Sequence, residues 1–167
     1  MGSVKAEVYA ELLEEALDAT IAAAEQVSEG GRLRAAQEGK AHPLWFIGHM
    51  AYANNLLLHQ WCCDGESMIP SEYNKIFGPD FGGGNPITAN ADDYPSWDEV
   101  LDNYNKVGRA CVEGIRALDD ATLAGNLRGG APDSIKEKFK SVQYAVRAMA
   151  THDAYHRGQM NAVAALG

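Results

Sequence analysis

The sequence has no apolar run of about 18 residues or more, so no segment of it is expected to span a membrane. It is short of positive charge: 14 Lys and Arg face 23 Asp and Glu, for a net charge of −9. Nucleic acid phosphates and anionic lipid surfaces both need a basic face, so neither is an expected partner. Cysteine is scarce, with only Cys62, Cys63 and Cys111. An odd count containing an adjacent pair is no disulfide framework. It points to a reducing compartment, the cytoplasm, with Cys62 and Cys63 packing at a helix end. The stretch Met1–Ala6 lacks the apolar core of a signal peptide, and Ala6 stands where a myristoylation motif wants Ser or Thr. No segment reads as a strand, and there is no internal repeat.

What is present is helical periodicity, in a chain of 167 residues that reads as one domain, 1–167. The first helix is expected over Val4–Ser28. Its apolar stripe is Val8, Leu12, Ala16, Ala19, Ala23 and Val27, its wet side is acidic, and Gly30-Gly31 ends it. The second is expected over His42–Trp61, with Pro43 in the first turn. It is apolar nearly all round, which predicts burial on several sides or an oligomer face. The third opens on the capping box Ser96-Trp97-Asp98-Glu99, and the fourth on Ser134-Ile135-Lys136-Glu137, running to Leu166. Asp119–Leu123 reads as a short turn. Between the second and third helices, 64–95 holds four of the six prolines and the run Gly82-Gly83-Gly84. That is a long loop, of the kind that is functional or a crossover. Phe77, Phe81, Ile87 and Tyr94 are expected to pin it. Four amphipathic helices are most simply buried as an all-α four-helix bundle.

The chemistry concentrates in Thr151–Gln159. His152 and His156, four apart, lie one above the other on a helix, inside the apolar stripe that runs from Ile135 to Val163. Two stacked imidazoles are either separately hydrogen-bonded core residues or two ligands to one ion. His49, inside the apolar second helix, supplies a third imidazole. Three histidines on two inward-facing helices form an open metal site, with a further position left for water or substrate. At 1.5 Å per residue, His152 and His156 lie roughly 15–21 Å from the end of their helix, and His49 about 10 Å from the start of its own. The triad can therefore close whether the two helices are parallel or antiparallel. His42, beside Pro43, is expected to be exposed. His59, ten residues after His49, is rotated away and is not expected to be a ligand. Tyr155 and Arg157 point off the histidine face, with Arg157 anchoring the helix.

The run His152-x-x-x-His156-Arg157-Gly158-Gln159 resembles the C-terminal signature of the DinB/YfiT-like superfamily of four-helix metalloproteins. The His49 segment, Phe81-Gly82, Tyr94-Pro95-Ser96-Trp97 and Leu118-Asp119-Asp120 are similar to that family as well. The resemblance implies an up-down-down-up bundle, often dimeric, with one divalent metal, zinc or nickel, held by His49, His152 and His156. It also implies chemistry of the family's thiol S-transferases and thiol-dependent isomerases, with a low-molecular-weight thiol as cosubstrate and a small-molecule substrate.

Two other readings stand beside this one. His152-Asp153-Ala154-Tyr155-His156 has the spacing of zincin proteases with Asp where they carry Glu. That suggests a metal-dependent small-molecule hydrolase, with Asp153 as base, as a partner for a histidine or as a solvated helix residue. The third reading is a non-enzymatic metal-binding bundle. Asn54 and Asn55 are candidates for positioning a substrate.

Overall fold

The computed structural model describes residues 3–79 and 82–166. The described residues contain seven α-helices: α1 (Val4–Glu25), α2 (Pro43–Asn54), α3 (Tyr73–Ile76), α4 (Trp97–Arg116), α5 (Asp120–Ala124), α6 (Asp133–Phe139) and α7 (Val142–Ala164). A π-helical segment, Asn55–Gln60, continues α2, and no strand occurs among the described residues.

Side-chain pairs set the directions of the long helices. Arg116 reaches Glu7 and Arg109 reaches Asp18, so α1 and α4 are antiparallel. Arg157 donates to the carbonyl of Ala16, and the start of α7 lies near the start of α1 through Gly125, α5 and Leu118, so α7 and α1 run together. Asn54 pairs with Asp153 while His49 lies against His156, so α2 and α7 are antiparallel. Directed this way, the mid-section of α2 faces the second half of α7.

α1 is capped by Ser3, whose hydroxyl accepts from the amide of Ala6. Its buried stripe is Ala6, Ala10, Leu13, Leu17, Thr20 and Ala24, one position off the expected one. Val8 and Leu12 remain 55% and 38% exposed. Both faces are apolar. The inner one is chosen by contact: Leu17 fits against Gly108 of α4, where any Cβ would fall 2.5 Å from its methyl.

Every residue of α2 from Pro43 to Ala51 is buried by the chain's own elements, so this helix presents no oligomer face. His42 is the N-cap of α2 and is fully buried, not exposed, because both ring nitrogens are used: Nδ1 accepts from Trp45 N–H and Nε2 donates to the carbonyl of Thr88. The helix widens after Asn54, where the amide of Trp61 bonds the carbonyl of Leu56 and that of Cys63 the carbonyl of Leu58. Asn55 clamps the following strand of chain, accepting from Met68 N–H and donating to Ser67. Cys62 is buried behind this segment as a free thiol, pushed up to about 12 by burial.

The expected fourth helix is two. α6 has no side-chain cap at its start, so Ser134 opens no capping box. It stops at Lys140, which adopts φ 55°, and α7 begins after Ser141, whose hydroxyl accepts from Tyr144 N–H. A serine that caps a new helix competes with continuing the old one. Asp119–Leu123 is likewise a capped helix, α5, with the Asp119 carboxylate accepting from Thr122 N–H. Ser96 caps α4 as expected. In the long loop, Phe77 and Tyr73 are fully buried, and Ile87 and Tyr94 are partly buried against the same core. Phe81 lies outside the described residues.

Candidate metal centre

α2 and α7 bring His49, His152 and His156 to one point. Nε2 of His152 lies 3.2 Å from Nε2 of His49 and 3.1 Å from Nε2 of His156. One nitrogen of each ring lies within 4.8 Å of the others, an arrangement that could hold a metal ion. Two imidazoles at about 2.0–2.1 Å from a tetrahedral ion stand roughly 3.3–3.4 Å apart, close to the spacings found here.

The outward nitrogens fix the tautomers. Nδ1 of His49 is 2.8 Å from the carbonyl oxygen of Phe77, which can only accept, so that nitrogen carries the proton. Nδ1 of His156 is 2.7 Å from Oε1 of Gln159 and is the donor there. In the neutral rings both Nε2 atoms are then lone pairs, aimed at His152. A single Nε2–H on His152 can satisfy only one of them, so hydrogen bonding within the triad leaves a lone pair unmet. A cation satisfies all of them, and the residues present fit one.

The surroundings keep the rings of His49 and His156 neutral. Trp45 stacks on His49 at 4.7 Å and 8°, and Phe46 tilts against His156 at 5.5 Å. Burial holds His49 down at about 4, against the opposing pull of its bond to Phe77, with His152 and His156 lowering it further. Burial also lowers His156, with His152 adding to the effect. The lone pairs of His49 and His156 are therefore available at neutral pH without competition from a proton.

Beneath His152 lies a buried carboxylate. Asp153 is 5% exposed. Its Oδ2 accepts from Asn54 Nδ2 at 2.9 Å and from the Tyr104 hydroxyl at 2.8 Å. The Tyr104 hydroxyl is pushed well above its ordinary range, first by burial and then by Asp153, and remains a donor. Held this way, Asp153 is neither a solvated residue nor a free base over the metal position, which removes the zincin analogy. Asn54 and Asn55 are buried as well: Asn54 bonds Asp153, and Asn55 bonds the loop at Ser67 and Met68. Arg157 anchors α7 to α1 through Ala16 and Thr20, and Tyr155 is 63% exposed. His59 is not one of the converging group.

Some contributors are missing from the expectation. Tyr104 reads in sequence as one more member of an apolar stripe. The Phe77 carbonyl is a backbone atom and leaves no trace in sequence. Gln159 was legible, since it closes the histidine-containing run at i+3 from His156.

Comparison with known proteins agrees with this arrangement. The profile of the DinB superfamily matches residues 12–160, most of the chain and all three histidines. No curated protein matches it.

Proposed function

The chain belongs to the DinB superfamily, and we propose that His49, His152 and His156 hold one divalent transition metal, zinc or nickel, in an up-down-down-up four-helix bundle. In this reading the protein is a thiol S-transferase or thiol-dependent isomerase acting on a small molecule with a low-molecular-weight thiol. The observation that carries it is the convergence of three Nε2 atoms whose rings are oriented from outside by Phe77 and Gln159.

A divalent ion bound by three neutral imidazoles keeps its full charge and supplies Lewis acidity, lowering the pKa of a thiol or water placed beside it. The chain's residues do the rest. Phe77 and Gln159 hold the imidazoles in the tautomer that binds. Trp45 and Phe46 exclude water from their flanks and keep protons off them. A cleft of about 250 Å³ lined by Tyr52, Asn55, Leu56, Ser67, Ile69 and Asn74 opens beside the C-terminal end of α2, and none of the three histidines lines it. Its walls mix amides and hydroxyls with Leu56, Ile69 and Pro70 and carry no charge, which suits an uncharged portion of a substrate or thiol.

The same reading makes the protein a cytoplasmic homodimer. Three free cysteines suit a reducing compartment. Five of the exposed large apolar side chains, Val4, Val8, Leu12, Tyr144 and Tyr155, lie on α1 and α7, and Leu12 lines a groove between these helices. Glu15 and Arg147 line that groove, and neither makes an ion pair among the described residues. A two-fold contact would set each against its opposite in a second copy.

Elemental analysis of tag-free wild type beside His152→Ala tests the metal. About one equivalent of zinc or nickel, lost in the variant, supports the reading; a wild type that takes up no ion at neutral pH overturns it. Turnover of electrophiles in the presence of thiols, abolished by chelation, separates a transferase from a binding bundle. Turnover with water alone would make it a hydrolase.

A further inference from the structure

We propose that Asp153 is a positioning residue for the metal site: its Oδ1 fixes the imidazole of His152, and its buried charge is balanced by the ion that His152 binds. The inference rests on the metal reading above and adds to it a residue that does not touch the ion.

The two oxygens of Asp153 divide their work. Oδ2 takes both neutral donors, Asn54 Nδ2 and the Tyr104 hydroxyl. Oδ1 is left to Nδ1 of His152, 3.5 Å away. No Lys or Arg lies within ion-pair distance of Asp153 among the described residues; the one basic group there is Nδ1 of His152, a cation only when protonated. A carboxylate that is 5% exposed and has no cation beside it carries an uncompensated charge. Two neutral hydrogen bonds stabilise it but do not cancel it. The Arg157 guanidinium stands further off, at the Thr20 hydroxyl beside Tyr104, and the far side of the His152 ring is where positive charge can be added.

The polarity of the ring follows. A carboxylate can only accept, so the His152 proton is held on Nδ1 and the lone pair on Nε2. With His49 and His156 already fixed the same way, all three Nε2 atoms present lone pairs, those of His49 and His156 lying 3.2 and 3.1 Å from that of His152. That is an arrangement repulsive without a cation and complementary with one. Carboxylate–imidazole–metal relays of this kind orient the ligand and raise its basicity.

The test uses the full chain and zinc or cobalt(II) alone. In competition with a chromophoric chelator, Asp153→Asn is expected to bind zinc about 10–100-fold more weakly than wild type. The cobalt(II) d–d bands should shift with it. Metal-free Asp153→Asn should melt no lower than metal-free wild type, because the buried charge is gone, while the stabilisation gained on adding zinc should shrink. A purely structural aspartate would instead lower both melting temperatures alike, and that result, or zinc affinity within about twofold of wild type, overturns the proposal. Asp153→Glu should recover part of the affinity. If Asp153→Asn does not fold, ring nitrogen shifts of metal-free wild type decide: His152 protonated on Nδ1 supports the role, and His152 protonated on Nε2 overturns it. A wild type that takes up no metal sinks the metal reading, and the tautomer of His152 still judges Asp153.

Discussion

Nδ1 of His49 donates a 2.8 Å hydrogen bond to the carbonyl oxygen of Phe77, across the long loop. The contact depends on the residue beside the histidine. Gly48 has no side chain, and a Cβ there would fall 2.3 Å from the Phe77 ring. The glycine is thus what lets a fully buried phenylalanine lie directly on α2 and bring its carbonyl to the imidazole.

Gly48→Ala is therefore predicted to destabilise, against the usual gain of about 0.5–1 kcal/mol for replacing a mid-helix glycine with alanine. Overpacking a tight core site costs about 1–3 kcal/mol. Denaturant melts should show a loss of that order. Zinc affinity should fall too, since Phe77 cannot retreat without taking its carbonyl from His49. A variant as stable as wild type, with unchanged zinc affinity, would mean that the loop is not what orients the ring.

Much of this centre is legible in the sequence. Three histidines in apolar helical stripes must find partners, and His152 and His156 four apart on α7 left little choice of geometry. The helix boundaries around Lys140 were not legible, because Ile135 and Phe139 keep the apolar period across the break and only the competing cap at Ser141 ends it. The inner face of α1 was ambiguous for the same reason: with alanine on both sides, periodicity gives a stripe but not which stripe meets Leu17's partner, Gly108. For Asp153 the sequence leaves base, histidine partner and solvated residue all open, because a charged residue beside a histidine says nothing of Tyr104 and Asn54, 49 and 99 residues away in sequence.

The stripe left outside makes a second prediction. Leu12 is 38% exposed and lines the groove between α1 and α7. Leu12→Glu should convert the proposed dimer to a monomer in sedimentation experiments while leaving the metal content and thermal stability of each chain nearly unchanged, because no core contact is removed. Reversing the rim charge with Arg147→Glu should weaken the dimer, and Glu15→Arg in the same chain should restore it. A wild type that sediments as a monomer at all concentrations would remove the second copy from this face.

The third prediction concerns acid, and turns on His42. Its ring is an acceptor at Nδ1, capping α2 through Trp45, and a donor at Nε2, tethering the loop at Thr88. Protonation would place a second hydrogen against the Trp45 N–H, so the folded state resists it, and burial lowers the His42 pKa below its ordinary 6.5, opposed by the bonds to Thr88 and Arg32. In the unfolded chain the ring titrates normally. As pH falls below about 6.5, the unfolded state binds the proton first, so the stability of the folded state is full above that pH and is lost below it. His49 and His156, also lowered, add to the same loss in metal-free protein. His42→Asn keeps a good capping residue without a titrating ring. In chelator-treated protein, denaturation midpoints between pH 7.5 and 5 should fall less steeply for His42→Asn than for wild type. The difference is bounded by one proton, about 1.4 kcal/mol per pH unit. Equal slopes would show that His42 releases its cap and tether without cost, and would leave the acid sensitivity to the metal-site histidines.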